Sequence, residues 1–317
     1  MKLAVTGALG HIGSRFIHSL KAGQYDRVLL IDDLSAQRQN SLFHLPEGVP
    51  FRFVEADVCA ADLRPLFEGM DAVIHLAAIT NAAASFDMEE KVRRVNYQGT
   101  RAVARACAAL GSKLVLISTT SIYGTQAQVV DEQCSAEDLR PQSPYATSKL
   151  QAEQELASLG HSAGLRFVTC RFGTIFGISP GMRFHTAINK FVWQACVGQP
   201  ITVWTTALHQ RRPYLDVSDA VRALDFIVKT GRFDNEIYNV LTTNATVSDI
   251  VEIIRSYVGD LQVRHVDSTI MNQLSYTVAC EKFKSLGFRF QGDLHEAIGE
   301  TVRLIRNARQ WRMANDE

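Results

Sequence analysis

The chain of 317 residues carries 33 basic and 33 acidic side chains, and 46% of its residues are hydrophobic. This composition is ordinary for a globular protein of about two domains, and it excludes a bulk electrostatic attraction to nucleic acid or anionic membranes. The 6 cysteines have neither C-x-x-C nor metal-site spacing, so we expect free thiols, a reducing cytoplasm and no bound metal. No apolar run is long enough to span a bilayer, and the first strand begins at Lys2, which leaves no room for a signal peptide.

A glycine-rich turn follows the first predicted strand, residues 3–5, and reads T-G-A-L-G-H-I-G at 6–13. Ile12, Phe16 and Leu20 continue at helical spacing, so the order is strand, turn, helix. In dinucleotide folds such a turn lets the backbone approach a pyrophosphate, and the helix N–H groups face the phosphates. The spacing is G-x-x-G-x-x-G, so an ordinary glycine-rich turn is the alternative. The predicted cofactor contacts here are Gly7, Gly10, His11, Ile12 and Gly13.

A second buried strand is predicted at 27–31 and ends at Asp32 and Asp33. An acidic residue about twenty positions after the glycine turn is expected to bind the adenosine ribose hydroxyls. A carboxylate there repels the 2′-phosphate of NADP, so we predict that the cofactor is NAD. Arg38 is close enough in sequence to keep NADP open, and a cap or turn is the alternative role for Asp32.

Two more buried strands are predicted at 51–55 and 72–76. Small residues follow the second strand, and they would let a cofactor approach the backbone. We interpret His75, near the end of that strand, as a core residue rather than a catalytic one. The predicted contacts after these strands are Asp57, Val58, Leu76, Ala77 and Ala78 for the cofactor, and Thr80 and Asn81 for a substrate.

A long helix is predicted at 89–110, and a strand at 113–118 runs into the hydroxyl-rich segment S-T-T-S-I-Y-G at 118–124. The alternation of short buried strands with helices predicts a doubly wound α/β sheet. Hydroxyls at the carboxyl end of a parallel strand lie where such sheets bind ligands. The candidate residues in this region are Asn96 and Ser118 for the cofactor and Thr119 and Thr120 for the substrate.

Tyr145 and Lys149 are four residues apart in a helix predicted to continue to about residue 159, so they share one helical face. An ammonium group beside a phenol lowers the pKa of the phenol, which makes Tyr145 a candidate general base. Y-x-x-x-K alone is common, and a surface Tyr–Lys pair is the alternative. The glycine turn, Asp32 and the hydroxyl cluster favour the catalytic interpretation.

Together these motifs resemble the extended short-chain dehydrogenase/reductases, and within them the NAD-dependent nucleotide-sugar epimerases and dehydratases. The resemblance rests on the glycine turn, the acidic pair 32–33, D-V at 57–58, H-L-A-A at 75–78, the Ser/Thr cluster, and S-P-Y-x-x-S-K at 143–149. It implies a Rossmann-like doubly wound parallel sheet with a smaller C-terminal substrate-binding lobe. We expect the NAD-binding domain at 1–176, rejoined by about 214–241, and the substrate lobe mainly at 177–317.

The resemblance also implies individual roles. Thr119 corresponds to the catalytic Ser/Thr, Tyr145 to the base, and Lys149 to the lysine that orients the nicotinamide ribose, with Phe172 a further cofactor contact. Thr174 stands where the family usually carries Asn to hold the nucleotide-sugar, and Thr has a shorter reach. The remaining implied substrate contacts are Arg183, Trp204 and Arg212, the last of which corresponds to an arginine that grips the diphosphate.

The second lobe departs from the family pattern in one place. The family often has another phosphate-binding arginine ahead of its final substrate strand, but 270–276 contains none. Arg183 or Arg211 is a candidate replacement. A helix at 217–228 and a strand at 236–240 are expected to return to the main sheet, and 292–309 is expected to form a closing surface helix.

The resemblance implies an NAD-dependent nucleotide-sugar epimerase, most simply acting at C4. The alternatives are an NAD(P)-dependent dehydrogenase or reductase of a related sugar, and a non-catalytic NAD-binding regulator. The resembling dehydratases carry Asp and Glu directly after the catalytic Thr, where this chain has Thr120 and Ser121; decarboxylating relatives keep the Glu. We therefore expect neither elimination of water nor loss of carbon dioxide. Val92, Val95 and Val103 suggest an apolar helix face for a homodimer.

Overall fold

The computed structural model describes residues 1–124, 129–267 and 275–313, with side chains to residue 308. Its strands are Lys2–Thr6 (β1), Arg27–Asp32 (β2), Phe51–Glu55 (β3), Ala72–His75 (β4), Lys113–Thr119 (β5), Val129–Val130 (β6), Phe167–Phe172 (β7), Thr174–Phe176 (β8), Ile201–Trp204 (β9), Arg211–Asp216 (β10), Ile237–Val240 (β11), Thr243–Thr246 (β12), Val263–Val266 (β13) and Thr277–Val278 (β14). Its α-helices are His11–Ser19 (α1), Arg64–Phe67 (α2), Glu89–Val92 (α3), Thr100–Leu110 (α4), Pro144–Ala163 (α5), Ala187–Cys196 (α6), Val217–Thr230 (α7), Val247–Val258 (α8), Glu281–Lys284 (α9) and Leu294–Met313 (α10).

The main sheet of the described chain has 7 strands in the order β11-β7-β5-β4-β1-β2-β3, and every neighbouring pair is parallel. Helices cover both faces. Leu3 and Val5 of β1 pack in the core that contains Phe16 of α1, whereas Ala4 packs with Val103 of α4 on the opposite face. Both faces are buried, which explains the nearly unbroken apolar runs of these strands. The predicted fold class is confirmed.

The predicted helix at 89–110 is not regular, because the segment Arg93–Gly99 between α3 and α4 is π-helical. Single π turns inside α-helices occur frequently at functional sites. Asn96 lies buried in this turn. Its side chain donates to the backbone oxygen of Ile79 at 2.9 Å and accepts from the backbone N–H of the same residue at 2.8 Å. The π turn therefore fixes the segment that follows β4.

The apolar helix face predicted for a homodimer is not available at two of its three residues. Val92 and Val103 are each 0% exposed in the monomer, and Val103 packs in the chain's own core. Val95 is half-buried and lines a cavity. These side chains are therefore not free to meet a second copy of the chain.

A second lobe is built around its own apolar core, in which Ile188, Ile250 and Ile298 are buried. It holds the sheet β12-β10-β8 and the pair β13-β9. Ile298 lies on α10, so this helix is part of the lobe's core as well as of its surface. By contrast, β11 pairs with β7 in the main sheet. No helix in the described part of the chain has the length and apolarity needed to cross a membrane.

Candidate active site

A cavity of about 820 Å³ lies at the carboxyl ends of the main-sheet strands and extends into the second lobe. This end of a doubly wound sheet is where ligands bind. Every residue predicted above as a cofactor, substrate or catalytic contact lines this cavity, with the exceptions of Asn96 and of Arg211, the alternative candidate for the second phosphate-binding arginine. Asn96 lies behind the wall because its amide is already bonded to Ile79 and to Ser148 Oγ, at 3.2 Å. Its role in the structure is to hold the wall.

The glycine turn is packed so closely that side chains have no room at two of its positions. Gly7 has a φ of +65°, and a Cβ there would lie 2.5 Å from the backbone nitrogen of Ala77. A Cβ at Gly13 would lie 2.5 Å from the backbone oxygen of Gly7. Gly10 caps α1 without a side-chain hydrogen bond to the helix. Because the first N–H groups of the helix have no such cap, the turn fits a pyrophosphate.

Asp32 combines the two roles considered for it. Its Oδ2 accepts from the backbone N–H of Leu9 in the glycine turn at 3.0 Å, and its Oδ1 accepts from that of Leu34 at 3.1 Å. Burial raises the pKa of Asp32. It is thus a turn residue that also lines the cavity, beside Arg38.

Thr119, Tyr145 and Lys149 are brought together by the end of β5 and the first turns of α5. This helix starts at Pro144, where Ser143 Oγ accepts from the N–H of Ala146 at 3.2 Å. Lys149 is 3% exposed, and its Nζ donates to the backbone oxygen of Ile117 in β5 at 2.8 Å. The hydroxyl of Thr119 lies near enough to that of Tyr145 to oppose the rise in the pKa of Tyr145. Helix α5 is therefore joined through Lys149 to β5, the strand that carries Thr119.

The prediction that Lys149 lowers the pKa of Tyr145 is wrong in this structure, because that pKa is raised and Lys149 is not among its causes. Burial raises the pKa of Tyr145, and the charge of Arg183 and the hydrogen bond from Thr119 oppose that rise. Burial also lowers the pKa of Lys149 to about 8. The lysine ammonium is bonded to Ile117 rather than to the phenol. The cation that favours the phenolate is Arg183.

The second lobe supplies a different cation. Arg212 donates from Nη2 to Gln210 Oε1 at 2.7 Å, and its guanidinium lies 5.4 Å from the ring centroid of Tyr276. Arg211, by contrast, is exposed and lies outside the cavity wall. Of the segment 270–276, in which no second arginine was found, 270–274 lie outside the described residues. Tyr276 is described, and its hydroxyl donates to the backbone oxygen of Thr120 at 3.2 Å.

Sequence reasoning missed several polar residues of the cavity wall. Gln210 and Tyr276 frame Arg212, and His185 lies two residues after Arg183. Gln210 directly precedes Arg211 and Arg212 in the sequence, so this closeness could have indicated Gln210 as a residue of the site. Tyr276 lies 64 residues beyond Arg212, and no local pattern connects the two.

Residues 3–240 match the sequence profile of the NAD dependent epimerase/dehydratase family. The chain belongs to this family. The predicted family is therefore confirmed, and so, at the level of the family, is NAD as the cofactor.

Individual curated relatives are 25–30% identical to this chain over the aligned residues. The chain is 30% identical to YtcB, named an uncharacterized UDP-glucose epimerase, of Bacillus subtilis (strain 168), over 88% of this chain and 89% of that protein. The structure of DesIV, a dTDP-glucose 4,6-dehydratase from Streptomyces venezuelae with NAD and TYD bound, matches with a TM-score of 0.88 and 27% identity over 98% of each chain. The NAD complex of a Thermus thermophilus UDP-glucose 4-epimerase matches with a TM-score of 0.83 and 26% identity, over 97% of this chain and 100% of that one.

The chain spans about half the length, 47–48%, of the trifunctional Arabidopsis thaliana proteins that it also matches. In these proteins a UDP-glucose 4,6-dehydratase is combined with epimerase and reductase activities, according to their names.

Proposed function

We propose that this protein is an NAD-dependent nucleotide-sugar epimerase that inverts C4 of the sugar. The observation that carries the proposal is the absence of carboxylates at the catalytic end of the described cavity. Its acidic lining residues are Asp32, Asp33 and Asp57, which follow β2 and β3. Thr119 lies at the end of β5, and β4 and β1 stand between β5 and β2. At the usual strand spacing β5 is about 14 Å from β2, so these three carboxylates lie far from Thr119.

Elimination of water from a 4-keto sugar needs an acid for the leaving hydroxyl and a base for the proton on C5. Thr120 and Ser121 stand beside Thr119 in the cavity wall, and hydroxyls are too weakly acidic and basic for this work near pH 7. Of the segments outside the described residues, 125–128 and 268–274 contain no Asp or Glu, whereas 314–317 contains Asp316 and Glu317. The site is therefore suited to inversion and poorly suited to elimination.

The chain's own groups can carry the proton transfers of an inversion. Tyr145 takes the proton of the C4 hydroxyl, and Thr119, which lies beside Tyr145 in the cavity wall, binds the same sugar oxygen. Lys149, held by Ile117, keeps its charge below a pH of about 8 and is assigned to the nicotinamide ribose. Bound NAD supplies a reversible hydride acceptor, so that C4 is oxidised and then reduced from its other face without net redox change.

Other residues of the cavity wall are assigned to holding the two ligands. The turn from Gly7 to Gly13 would hold the pyrophosphate of NAD, and Asp32 the adenosine ribose. Arg212, stacked against Tyr276, would hold the diphosphate of the nucleotide-sugar. The Thermus thermophilus UDP-glucose 4-epimerase and YtcB, which is named a UDP-glucose epimerase, support the proposed epimerase function. The relatives named dTDP-glucose 4,6-dehydratases make elimination of water the alternative reaction.

Product analysis tests the proposal. NAD-loaded protein is incubated with UDP-glucose, UDP-glucuronate, dTDP-glucose and GDP-mannose, and products are read by NMR and mass spectrometry. We expect a C4 epimer of unchanged mass from at least one substrate, with no lasting rise in NADH absorbance. A product lighter by water or carbon dioxide would contradict the proposal, and steady accumulation of NADH would identify a dehydrogenase.

A further inference from the structure

Tyr276 connects two parts of the cavity wall that have separate tasks in the proposed reaction. It is 3% exposed, and its ring centroid lies 5.4 Å from the guanidinium of Arg212, which is assigned to the diphosphate. Its hydroxyl donates to the backbone oxygen of Thr120 at 3.2 Å, and Thr120 directly follows Thr119 in the sequence. A single side chain therefore contacts both the diphosphate arginine and the residue that follows the catalytic threonine.

The contact with Thr120 falls on a turn that orients the hydroxyl of Thr119. Thr119 caps a single 3-10 turn after β5, in which its Oγ1 accepts from the backbone N–H of Ser121 at 3.1 Å. The turn is closed by a hydrogen bond from the N–H of Tyr123 to the backbone oxygen of Thr120 at 3.2 Å. Hydrogen bonds of this type have poorer geometry than those of an α-helix. The hydroxyl of Tyr276 is a second donor to the same oxygen and holds the turn from outside.

The position of Tyr276 relative to Arg212 is fixed through β12. Arg212 lies on β10 and pairs with Ala245 of β12. The preceding residue of β12, Asn244, binds both backbone groups of Val278: its Oδ1 accepts from the N–H at 3.0 Å, and its Nδ2 donates to the oxygen at 3.0 Å. Val278 lies in β14, two residues after Tyr276. The strand that pairs with the arginine therefore also anchors the tyrosine.

The hydroxyl of Tyr276 is suited to holding a neighbour rather than to transferring a proton. Burial raises the pKa of Tyr276, and the charge of Arg212 only opposes this rise. A phenol whose pKa lies above the usual value of about 10 stays protonated near pH 7. It therefore remains a hydrogen-bond donor to Thr120 throughout the reaction.

We propose that Tyr276 is a positioning residue, which holds the arginine assigned to the diphosphate and the turn that orients Thr119 in one fixed arrangement. This inference rests on the proposed 4-epimerase function, from which the roles of Arg212 and Thr119 are taken. The ring attracts the guanidinium through a cation–π contact, and the hydroxyl fixes the turn. Catalysis by oriented groups is sensitive to small displacements, and a misplacement of about 1 Å can cost on the order of 10²-fold in rate.

Two variants separate the task of the hydroxyl from that of the ring. Tyr276→Phe keeps the ring beside Arg212 and removes the donor to Thr120, whereas Tyr276→Leu removes both. Turnover is measured with the nucleotide-sugar that the product analysis identifies, and calorimetry on NAD-loaded protein measures the binding of UDP and dTDP. We expect kcat to fall about tenfold in both variants. Affinity for UDP or dTDP should fall about fivefold in Tyr276→Leu and stay unchanged in Tyr276→Phe.

Tyr238→Phe is the matched control, because it removes another buried tyrosine hydroxyl. Tyr238 is also 3% exposed, and its hydroxyl donates to Asp234 Oδ2 at 2.7 Å. It lies on β11, outside the described cavity wall. Its loss should leave both kcat and nucleotide affinity as in the wild type.

Amide hydrogen exchange tests the contact with Thr120 without any substrate. Exchange is followed by mass spectrometry in peptides that cover residues 119–124. We expect faster exchange there in Tyr276→Phe than in the wild type, because the turn has lost its outside donor. Exchange of these residues in Tyr238→Phe should match the wild type.

The outcomes separate this inference from the proposed function. Unchanged exchange at 119–124 in Tyr276→Phe would overturn the inference, as would a kcat equal to that of the wild type or an equal fall of kcat in Tyr238→Phe. A loss of UDP or dTDP affinity in Tyr276→Phe as large as in Tyr276→Leu would also overturn it. If exchange and kcat respond as expected but the product is dehydrated, decarboxylated or oxidised, the role of Tyr276 stands and the epimerase proposal fails.

Discussion

Two arginine–tyrosine pairs of this protein differ in depth and in how the arginine is partnered. Arg171 and Tyr123 are buried, whereas Arg183 and Tyr145 are half-buried in the cavity wall. Arg171 binds both oxygens of Glu153, with Nε–Oε1 at 3.1 Å and Nη2–Oε2 at 2.7 Å, and it also donates to the hydroxyl of Tyr123 at 2.9 Å. Arg183, beside Tyr145, has a buried Nε without a partner among the described residues. A buried cation that is paired inside the chain serves the fold, whereas one left incompletely paired in a cavity is available to a ligand.

The pKa directions agree with this comparison. The bonds to Glu153 raise the pKa of Arg171 despite its burial. Burial lowers the pKa of Arg183, where the opposing influence is the phenol of Tyr145. The direction of the pKa shift thus shows that the chain stabilises the charge of Arg171 but not that of Arg183.

The largest effect that we predict is a loss of stability when the ion pair between Arg171 and Glu153 is broken. Glu153→Gln leaves Arg171 buried without a counter-ion, so the free energy of unfolding should fall by about 3–5 kcal/mol. Arg183→Ala removes a cation with no internal counter-ion, and the free energy of unfolding should stay the same or rise. Urea denaturation measures both. Equal losses in the two variants would show that the arginines do not differ in this way.

Replacing each of the two tyrosines by phenylalanine should affect turnover in one variant and stability in the other. Tyr145→Phe keeps the ring but removes the titrating hydroxyl, so turnover should fall on the order of 10²-fold or more while NAD still binds. Tyr123→Phe leaves Arg171 and Asn239 without their shared partner, which should cost about 1–3 kcal/mol of stability with turnover retained. Near-normal turnover in Tyr145→Phe would make that tyrosine structural.

Arg212 extends the comparison to a cation of the cavity wall that has hydrogen-bond and ring contacts inside the chain. Because it already contacts Gln210 and Tyr276, we predict that Arg212→Ala weakens UDP or dTDP binding by about 1.5–3 kcal/mol, the range for a hydrogen bond to a charged group. NAD affinity should be unchanged, and Arg211→Ala serves as the exposed control. A parallel loss of NAD affinity would mean that Arg212 supports the fold instead.

His75 shows a third way in which this protein accommodates a basic side chain: it is buried and stays neutral. Its Nδ1 is hydrogen-bonded to Thr6 Oγ1 at 2.7 Å and its Nε2 to Thr100 Oγ1 at 2.9 Å, which confirms its interpretation as a core residue. Burial lowers its pKa from 6.5 to about 3.

Between these two values the unfolded chain binds a proton that the folded chain does not, so stability falls as the pH falls. We predict that His75 contributes about 1.4 kcal/mol per pH unit to this fall below pH 6. Urea denaturation at several pH values should therefore give a shallower slope for His75→Gln than for the wild type. Parallel slopes would contradict the assignment.

Most of the main sheet could be predicted from the sequence, because strands buried on both faces form continuous apolar runs. The strand predicted at 113–118 differs from β5 only at Thr119, and that at 27–31 differs from β2 only at Asp32. The π turn at Arg93–Gly99 could not be predicted. Its geometry depends on Asn96 meeting Ile79, which is a tertiary contact rather than a periodicity.

The site was predicted where its residues form local motifs, as in the glycine turn and the Tyr145–Lys149 spacing. It was mispredicted where a side chain's partner is set by the fold. Lys149 bonds to β5, and the cation acting on Tyr145 comes from Arg183, 38 residues further along the chain. Spacing in a sequence cannot show which of two cations a phenol will meet.

The fate of the hydrogen on C4 tests the central claim most directly. NAD-loaded wild-type protein is given UDP-glucuronate or UDP-glucose labelled with deuterium at C4, in ordinary water, and the products are read by NMR. We predict a C4 epimer that keeps its deuterium at C4, because the same hydrogen leaves and returns within the closed site. An epimer that carries a solvent hydrogen at C4, or a product that has lost water or carbon dioxide, would contradict the claim.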